Sequence, residues 1–302
     1  MRKELIEKVI FPKPGKYIVA VSGGVDSISL LDILSNHDDY ELIIAHFNHG
    51  IRPDSDLDME LVHNLASKYG LEFVAESANL GKDASEALAR EYRYRFLRDI
   101  KSEYGALAIL TAHHLDDRIE TMELNKQRGS GWRGLAPLRA TDEIKRPLLN
   151  IFKSELVKYA KDNNLNWRED STNKTLDTPR NHIRDKLAKD LQLKERLHQE
   201  LINNDHIRDQ KELELKSIID NVVGIDLNKI TINRSKFVSL DVETARDALF
   251  YLLQNINNLD INRGLVVSLE HFIKTAKVGK QKPLSKDISA KSQAKDVAIN
   301  LS

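Results

Sequence analysis

The chain has no cysteine among its 302 residues, and it has no long apolar run. The lack of cysteine excludes disulfides, thiolate metal sites and sulfur transfer through a persulfide carried on this chain. Because there is no membrane-length segment and no signal-peptide core after Met1, we expect a cytoplasmic protein without a membrane partner. Neither sign of charge is in excess, since Lys plus Arg and Asp plus Glu both number 46, so net charge does not indicate a nucleic-acid partner.

The residues that are present suit a globular protein with enough length for two domains, since 41% of them are hydrophobic. The strongest motif runs from Lys16 to Ser27. Tyr17 to Val21 predict a strand buried on both faces, Ser22-Gly23-Gly24 ends it, and helical spacing of apolar residues begins near Asp26. A strand, a glycine turn and a helix start together form an anion cradle, most simply for phosphates.

This loop differs from the two commonest phosphate-binding motifs. It lacks the lysine of a Walker A loop and the glycine spacing of a dinucleotide fingerprint. Its Ser-Gly-Gly-x-Asp-Ser pattern resembles the pyrophosphate loop of enzymes that split ATP into AMP and pyrophosphate. We therefore expect ATP to bind the loop and Mg²⁺ to be held by Asp26, because a bare carboxylate would repel phosphate. The predicted ATP-binding loop residues are Ser22, Gly23, Gly24, Val25, Asp26 and Ser27.

Three further predicted strands alternate with helices, at residues 40–47, 72–76 and 106–111. This order predicts an α/β fold with a Rossmann-like, mostly parallel sheet and helices on both faces. His46 and His49 follow the second strand. Ligands of such sheets bind at the carboxyl ends of strands, so contact with the nucleotide is the favoured role for both, and metal ligation is the alternative.

Two helices carry charged side chains that invite a functional interpretation. In the helix predicted at 85–100, four arginines exceed the nearby acids, so Arg90 and Arg93 are candidates to meet phosphate; the alternative is a solvated face. The segment after the fourth strand brings Asp116, Asp117 and Glu120 to the same edge of the sheet. These carboxylates could hold magnesium, bind a substrate ammonium group or act as a general base, or they could only complement the helix dipole.

Polar loops follow these helices. Residues 127–138 combine three glycines with Arg128, Trp132 and Arg133, which suits a splayed-out base and its phosphates, although ordinary connectors have similar composition. Polar clusters at 168–173 and 180–184, the second containing Arg180 and Arg184, have no helical or strand periodicity.

Taken together, six stretches resemble the family of tRNA(Ile)-lysidine synthases, and in order and spacing they cover about the first 185 residues. They are Ser22 to Ser27, His46 to Arg52, Glu86 to Leu97, Thr111 to Thr121, Arg128 to Leu138 and Glu169 to Arg184.

The resemblance implies an ATP-dependent ligase that acts on the wobble cytidine of an isoleucine tRNA with a CAU anticodon. In that family the C2 oxygen of cytosine is adenylated, pyrophosphate leaves, and the ε-amine of free L-lysine then displaces AMP. We expect Asp26, Asp117, Arg90 and Arg93 to be catalytic and Asp116, Asp117 and Glu120 to bind lysine. The residues expected to contact tRNA are Arg128, Trp132, Arg133, Arg180 and Arg184.

Some positions depart from the family pattern. Arg118 stands where a glutamine is usual, Pro137 replaces a usual glycine, and residues 123–127 are more polar than expected. These departures bear on the packing of the helix after Thr111 more than on the chemistry.

The predicted domains are a catalytic domain at 1–186, a helical connecting segment at 187–219 and a small α-rich C-terminal domain at 220–302. Helices are predicted at 241–256 and 265–276. Residues 274–295 carry seven lysines against one acid, which indicates either a patch for tRNA phosphates or a solvated, partly disordered tail. Many family members continue into a further C-terminal domain, so we expect fewer contacts with the tRNA body here; a homodimer is a candidate assembly.

Two other classes of function remain open from sequence. One is another pyrophosphate-loop enzyme that adenylates a different tRNA base or forms an amide; several thiolases of this kind use active-site cysteines, which are missing here. The other is a metal-dependent phosphohydrolase built on histidines and aspartates, or a nucleotide-binding module without catalysis. The histidine and aspartate set is His46, His49, His113, His114, Asp116 and Asp117.

Overall fold

The structure is a computed structural model, and it describes residues 2–50, 55–78, 85–168, 178–226, 229–254, 261–284 and 288–301. The chain divides into two compact units, Met1–Asn204 and Asp205–Ser302. Residues 51–52 and 169–177 of the predicted motifs lie outside the described residues.

The first unit is built from alternating strands and helices. In chain order they are α1 Arg2–Lys8, β1 Gly15–Ala20, α2 Val25–Ser35, β2 Tyr40–Asn48, α3 Ser55–Tyr69, β3 Glu72–Ser77, α4 Glu86–Glu103, β4 Ala108–Leu110, α5 Leu115–Gln127, α6 Trp132–Leu135, β5 Ile144–Lys145, α7 Lys153–Asp162 and α8 Pro179–Lys189, and α9 Leu191–Val222 begins in this unit.

The five strands of the first unit form one parallel sheet in the order β3-β2-β1-β4-β5. Ile18 is paired with Ile43 on one side and Ile109 on the other. The strand order reverses between β1 and β4, which is where open α/β sheets bind ligands. The predicted fold class is confirmed, and the loop after β1 lies at this reversal point.

Both faces of the sheet are covered, as the continuous apolar strands predict. Tyr17 and Val19 point into a core shared with α1, α2, α3 and α7, whereas Ile18 and Ile109 point into a second core beneath α4. In the first core the carboxylate of Asp32 accepts hydrogen bonds from Tyr69 and Tyr159, each with an O–O distance of 2.6 Å. These bonds tie α2 to α3 and α7, and so fix the helix that follows the phosphate loop.

A third cluster holds the helices at the carboxyl edge together. Leu115 and Ile119 of α5 pack against Ile183 of α8 and Leu197 of α9. The N-terminal half of α9 is thereby part of the first unit, and the division between the units falls inside this helix, between Asn204 and Asp205. The connecting segment predicted at 187–219 lies largely within α9.

The second unit contains helices and an antiparallel sheet. Its elements after α9 are β6 Val223–Asp226, β7 Lys229–Asn233, α10 Arg234–Val238, α11 Val242–Gln254, α12 Arg263–Thr275, β8 Gln281–Pro283, β9 Ile288–Ser292 and β10 Asp296–Leu301. The strand order is β6-β7-β10-β9-β8, and each pairing is antiparallel.

The sequence patterns predict α11 and α12 but not this sheet. Its strands are only three to six residues long; β8 has no buried residue, β9 alternates, and β10 has just three consecutive buried residues, Val297 to Ile299. Of the two alternatives for residues 274–295, a solvated, partly disordered tail does not fit the strands β8 and β9, which lie in the described part of that stretch. Lys277, Lys280 and Lys291 are exposed there, so a basic surface is present. None of the described helices is long and apolar enough to cross a membrane.

Candidate functional site

The loop between β1 and α2 is organised by its two serines. The Ser27 hydroxyl donates to the Gly24 carbonyl at 2.9 Å, and its oxygen accepts from the Ser22 amide at 3.1 Å. Gly24 caps α2 and offers no side chain to the first-turn amides, so these N–H groups are left to a ligand.

A second set of contacts holds the loop from the outside. Gly23 adopts φ +90°, a conformation that side chains disfavour, and a Cβ there would come within 3.4 Å of the Asp58 Cβ atom. The Gly23 carbonyl accepts from the Arg168 amide at 3.0 Å, while the Arg168 guanidinium donates to Asp58 at 2.7 Å. Arg168 and Asp58 therefore fix the backbone of the cradle.

Asp26 lies in the first turn of α2 and meets two cations. Its Oδ2 is 3.6 Å from His114 Nε2 and 3.6 Å from Lys153 Nζ. Burial by itself would raise the pKa of Asp26, but His114 and Lys153 outweigh burial and lower the pKa below its ordinary value. The other oxygen, Oδ1, is buried without a hydrogen-bond partner among the described residues. Asp26 is thus an ionised carboxylate with one oxygen unused.

His114 connects Asp26 to α5. It is the N-cap of that helix, and its Nδ1 accepts from the Asp117 amide while the Asp117 carboxylate accepts from the His114 amide. Burial would lower the pKa of His114, but the nearby Asp26, Asp117 and Asp116 carboxylates raise it above its ordinary value. His114 therefore faces three carboxylates.

Asp116, a predicted lysine ligand, is already paired within the protein. One carboxylate oxygen accepts from the Lys153 amide at 2.8 Å, and the other forms an ion pair with Lys194. The Lys194 ammonium also lies 4.5 Å from the centre of the Phe152 ring. Asp116 links the starts of α7 and α9 to the site.

Asp117 and Glu120 contact two of the four arginines that were predicted to bind tRNA, Arg180 and Arg184. Arg184 donates to both oxygens of Glu120, at 2.9 and 3.0 Å. Arg180 donates to Glu120 at 2.9 Å and to Asp117 at 3.2 Å. The Glu120 side chain is 2% exposed and that of Asp117 is 15% exposed. Residues predicted to bind lysine thus pair with residues predicted to bind tRNA. Of the two carboxylates, Asp117 is more accessible than Glu120.

His46 and His49 occupy different environments at the end of β2. His46 is buried, and its Nδ1 donates to the Val21 carbonyl at 2.9 Å, so it supports the end of β1. Burial, followed by the charge of Arg93, lowers the pKa of His49 to about 4. Nδ1 of His49 is buried and has no hydrogen-bond partner among the described residues. Contact of both with ATP stays a prediction.

Arg90 and Arg93 lie in the first half of α4 and contact Tyr94. The Arg90 guanidinium lies 4.5 Å and that of Arg93 5.5 Å from the ring centre. Close by, His113 shares a 2.9 Å hydrogen bond between its Nδ1 and Thr111 Oγ1. Burial lowers the pKa of His113, and the positive charges of Arg90 and Arg93 lower it further. This part of the edge is cationic.

The segment at 128–138 contains the short helix α6, which the sequence patterns do not predict. Arg128 is the exposed C-cap of α5, and the Arg133 guanidinium lies 3.9 Å from the centre of the Trp132 ring. Arg118 Nε donates to the Pro137 carbonyl at 3.2 Å. Arg118 and Pro137, two of the three departures from the family pattern, are therefore in direct contact, and they hold this segment against α5.

The side chains around Asp26 suit a Mg²⁺ ion that is shared with a bound phosphate better than a metal ion held only by protein side chains. Among the residues that the structure describes, no group of three or more histidine or acidic side chains could hold a metal ion, so the six residues considered for a phosphohydrolase do not form such a site. Mg²⁺ commonly binds one or two carboxylates plus substrate phosphates, and the Asp26 oxygen that has no hydrogen-bond partner among the described residues suits that kind of site.

Sequence reasoning missed Lys153 and Lys194 as members of the site. Both are distant in sequence from the motifs, and only their position at a helix start near the carboxyl edge could have drawn attention to them. The structure adds them as the cations that neutralise Asp26 and Asp116.

Comparison with known proteins agrees with this arrangement. The model of a family described as a PP-loop domain matches residues 2–191. A tRNA(Ile)-lysidine synthase from Mycoplasma mycoides is 33% identical over 265 residues, covering 83% of this chain and 64% of that protein. One from Thermus thermophilus is 39% identical over 173 residues, covering 55% of this chain and 34% of that protein. The chain therefore spans less than two thirds of the length of these relatives.

A solved structure is similar in fold. The U34-tRNA thiolase NcsA from Methanococcus maripaludis superposes with a TM-score of 0.56 at 17% identity, covering 68% of this chain and 78% of that chain. At that identity the likeness concerns the fold alone. The sheet order, the Ser-Gly-Gly-x-Asp-Ser loop at the reversal point and the family match over residues 2–191 agree with one another, and this chain belongs to the PP-loop domain family.

Proposed function

We propose that this protein is a tRNA-modifying ligase that attaches free L-lysine to C2 of the wobble cytidine of an isoleucine tRNA with a CAU anticodon. The reaction consumes ATP and releases AMP and pyrophosphate. The relatives named tRNA(Ile)-lysidine synthase support the substrate and the product. The observation that carries the chemistry is Asp26, an ionised carboxylate in a phosphate loop, with one oxygen paired to His114 and Lys153 and the other unused.

The first step is attack of the cytosine C2 oxygen on the α-phosphorus of ATP, and the bond to the pyrophosphate oxygen breaks. The first-turn amides of α2 and the Ser22 hydroxyl would bind the β and γ phosphates, and the Ser27 hydroxyl keeps the loop in shape through its bond to the Gly24 carbonyl. Asp26, with the loop hydroxyls, would hold Mg²⁺, which when bound neutralises charge on the departing pyrophosphate. His114 and Lys153 keep Asp26 deprotonated and oriented.

In the second step the ε-amine of lysine attacks C2, AMP leaves, and the amine loses a proton. Asp117 is the best placed of the three predicted lysine ligands, because its carboxylate is more exposed than that of Glu120 and its bond to Arg180 is the longest in the cluster. Asp117 would attract the ammonium group and take up the proton. Glu120, held by two guanidiniums, positions Arg180 and Arg184 rather than the substrate.

The RNA would approach from the side of the 128–138 segment. Arg128 is exposed, and the Trp132 ring with the Arg133 guanidinium stacked on it provides a surface suited to an unstacked base. Arg90 and Arg93 lie at the same edge of the sheet and would meet the phosphate of the adenylated intermediate. The exposed lysines of the second unit are proposed to contact the tRNA backbone.

The decisive experiment is transfer of labelled lysine to an unmodified isoleucine tRNA transcript, with ATP and Mg²⁺, while AMP and pyrophosphate are measured. Methionine tRNA with the same anticodon is the matched control, and we expect it to receive no lysine. One lysine per tRNA and one AMP per lysine are expected. RNA-dependent AMP formation without lysine transfer would favour another PP-loop reaction, and no AMP under any of these conditions would overturn the proposal.

A further inference from the structure

A third arginine lies beside Arg90 and Arg93. Arg146 is the first residue after β5, so it lies at the same carboxyl edge of the sheet as the phosphate loop. It is only 7% exposed, which is unusual for an arginine. Arg90, by contrast, is exposed, and Arg93 is half-buried.

Tyr94 connects the three guanidinium groups. Its hydroxyl accepts from Arg90 Nη2 at 3.2 Å, its side chain also hydrogen-bonds Arg146, and the Arg93 guanidinium lies 5.5 Å from its ring centre. Tyr94 itself is buried in the core beneath α4, so the group is attached to a rigid element.

Among the described residues, no carboxylate forms an ion pair with Arg146. Its Nη1 donates to the Arg139 carbonyl, but its Nε is buried and has no hydrogen-bond partner there. Burial, and then the neighbouring charge of Arg90, lowers the pKa of Arg146 below its ordinary value. A buried guanidinium without a matching anion destabilises the folded state, so an anionic ligand beside Arg146 would offset that cost.

The two neighbouring histidines carry no charge and so do not change the charge of this group of arginines. His113 and His49 have lowered pKa values and are therefore neutral at pH 7. The Asp117 charge also acts on His113, but that carboxylate is paired with Arg180. Arg98 differs from Arg146 in this respect. It lies on α4, as Arg90 and Arg93 do, and its guanidinium donates to both oxygens of Glu143, at 2.9 and 3.2 Å.

We propose that Arg90, Arg93 and Arg146 form a pocket for a phosphate group, with Arg146 as its buried member. The geometry that points to it is a buried, unpartnered guanidinium nitrogen, joined through one tyrosine to an exposed arginine at the ligand edge of the sheet. Guanidinium groups bind phosphate oxygens through paired N–H donors. This inference rests on the proposed function, and the phosphate belongs either to ATP or to the RNA backbone.

The test compares Arg146→Gln and Arg90→Gln with Arg98→Gln as the matched control. Affinity is measured for ATP with Mg²⁺ and, separately, for an anticodon stem-loop RNA of isoleucine tRNA. We expect both site variants to weaken one of the two ligands about tenfold or more, and Arg98→Gln to change either by less than about twofold. A loss confined to ATP identifies a nucleotide phosphate, and a loss confined to RNA identifies a backbone phosphate.

Because the Arg90 side chain is exposed, Arg90→Gln should fold normally and keeps the test valid if Arg146→Gln does not fold. Thermal melting of each variant is measured in parallel. Unchanged affinity for both ligands in folded Arg90→Gln and Arg146→Gln would overturn the pocket, even if wild-type protein transfers lysine. Arginine-dependent phosphate binding in a protein that makes no AMP would instead keep the pocket and overturn the proposed function.

Discussion

His113 and His114 are consecutive in the chain, yet the pKa values of their imidazoles are shifted in opposite directions. His114 Nε2 lies 3.6 Å from the Asp26 carboxylate, and the surrounding aspartates raise its pKa. His113 has a lowered pKa because it is buried and because Arg146, Arg90 and Arg93 are close. The end of β4 thus separates an anionic part of the site, which suits metal and ammonium groups, from a cationic part, which suits phosphate.

Substitution of Asp26 tests the anionic part. Asp26→Asn removes the charge proposed to hold Mg²⁺ and leaves His114 and Lys153 without their shared carboxylate. We expect pyrophosphate release to fall about a hundredfold or more, since a group aimed at charge in the transition state is lost. Asp38→Asn, an exposed substitution of the same kind, is the control. Release at the wild-type rate in a folded Asp26→Asn protein would exclude the proposed role.

Substitution of Asp117 tests the lysine site. Asp117→Asn keeps the size of the side chain but removes the charge shared with Arg180. We expect the KM for lysine to rise about tenfold or more and the KM for ATP to change much less, because one charged contact is lost. Asp185→Asn, whose carboxylate pairs with exposed Lys189, should change neither. A larger effect on ATP than on lysine would reassign Asp117 to the nucleotide.

The hydrogen bonds to Asp32 should contribute to stability. Tyr159→Phe removes one of two short donors to a buried carboxylate, so we expect the free energy of unfolding to fall by about 2 kcal/mol. Tyr104→Phe removes a surface hydrogen bond to Glu72 and should have a smaller effect. Urea unfolding of the three proteins measures the difference, and equal stability of Tyr159→Phe and wild type would contradict the role of the Asp32 network.

The lowered pKa of His49 predicts a loss of stability in acid. The folded protein keeps this imidazole neutral down to about pH 4, whereas the unfolded chain protonates it below an ordinary pKa of about 6.5. Stability from this residue is therefore present above pH 6.5 and is lost as the pH falls towards 4.

Between pH 7.5 and pH 5 the loss attributable to His49 should be about 2 kcal/mol or somewhat less, because the side chain is only partly buried. His49→Gln should unfold with correspondingly weaker pH dependence. Urea titrations at both pH values compare the two proteins, with His206→Gln as a control in the second unit. Identical pH dependence in wild type and His49→Gln would show that the histidine is not held neutral.

The local part of this architecture follows from sequence because it depends on neighbouring residues. The apolar run at Tyr17–Val21, the two glycines and the helix beginning near Asp26 are set by short-range sterics and burial, and the structure confirms them. The antiparallel sheet of the second unit was not predicted, because strands as short as Gln281–Pro283 carry too few positions for a pattern.

The sequence by itself determined the fold class, the phosphate loop and the set of charged residues that follow the strands. Only the tertiary structure decided which charges meet. Lys153 reaches Asp26, Lys194 reaches Asp116, and Arg180 and Arg184 enclose Glu120. Each of these pairs joins residues far apart in the chain, and the sequence pattern around a charged residue does not indicate which distant residue it will pair with. The packing of helices at the sheet edge brings them together, because a buried charge is tolerated where an opposite charge lies within hydrogen-bonding distance.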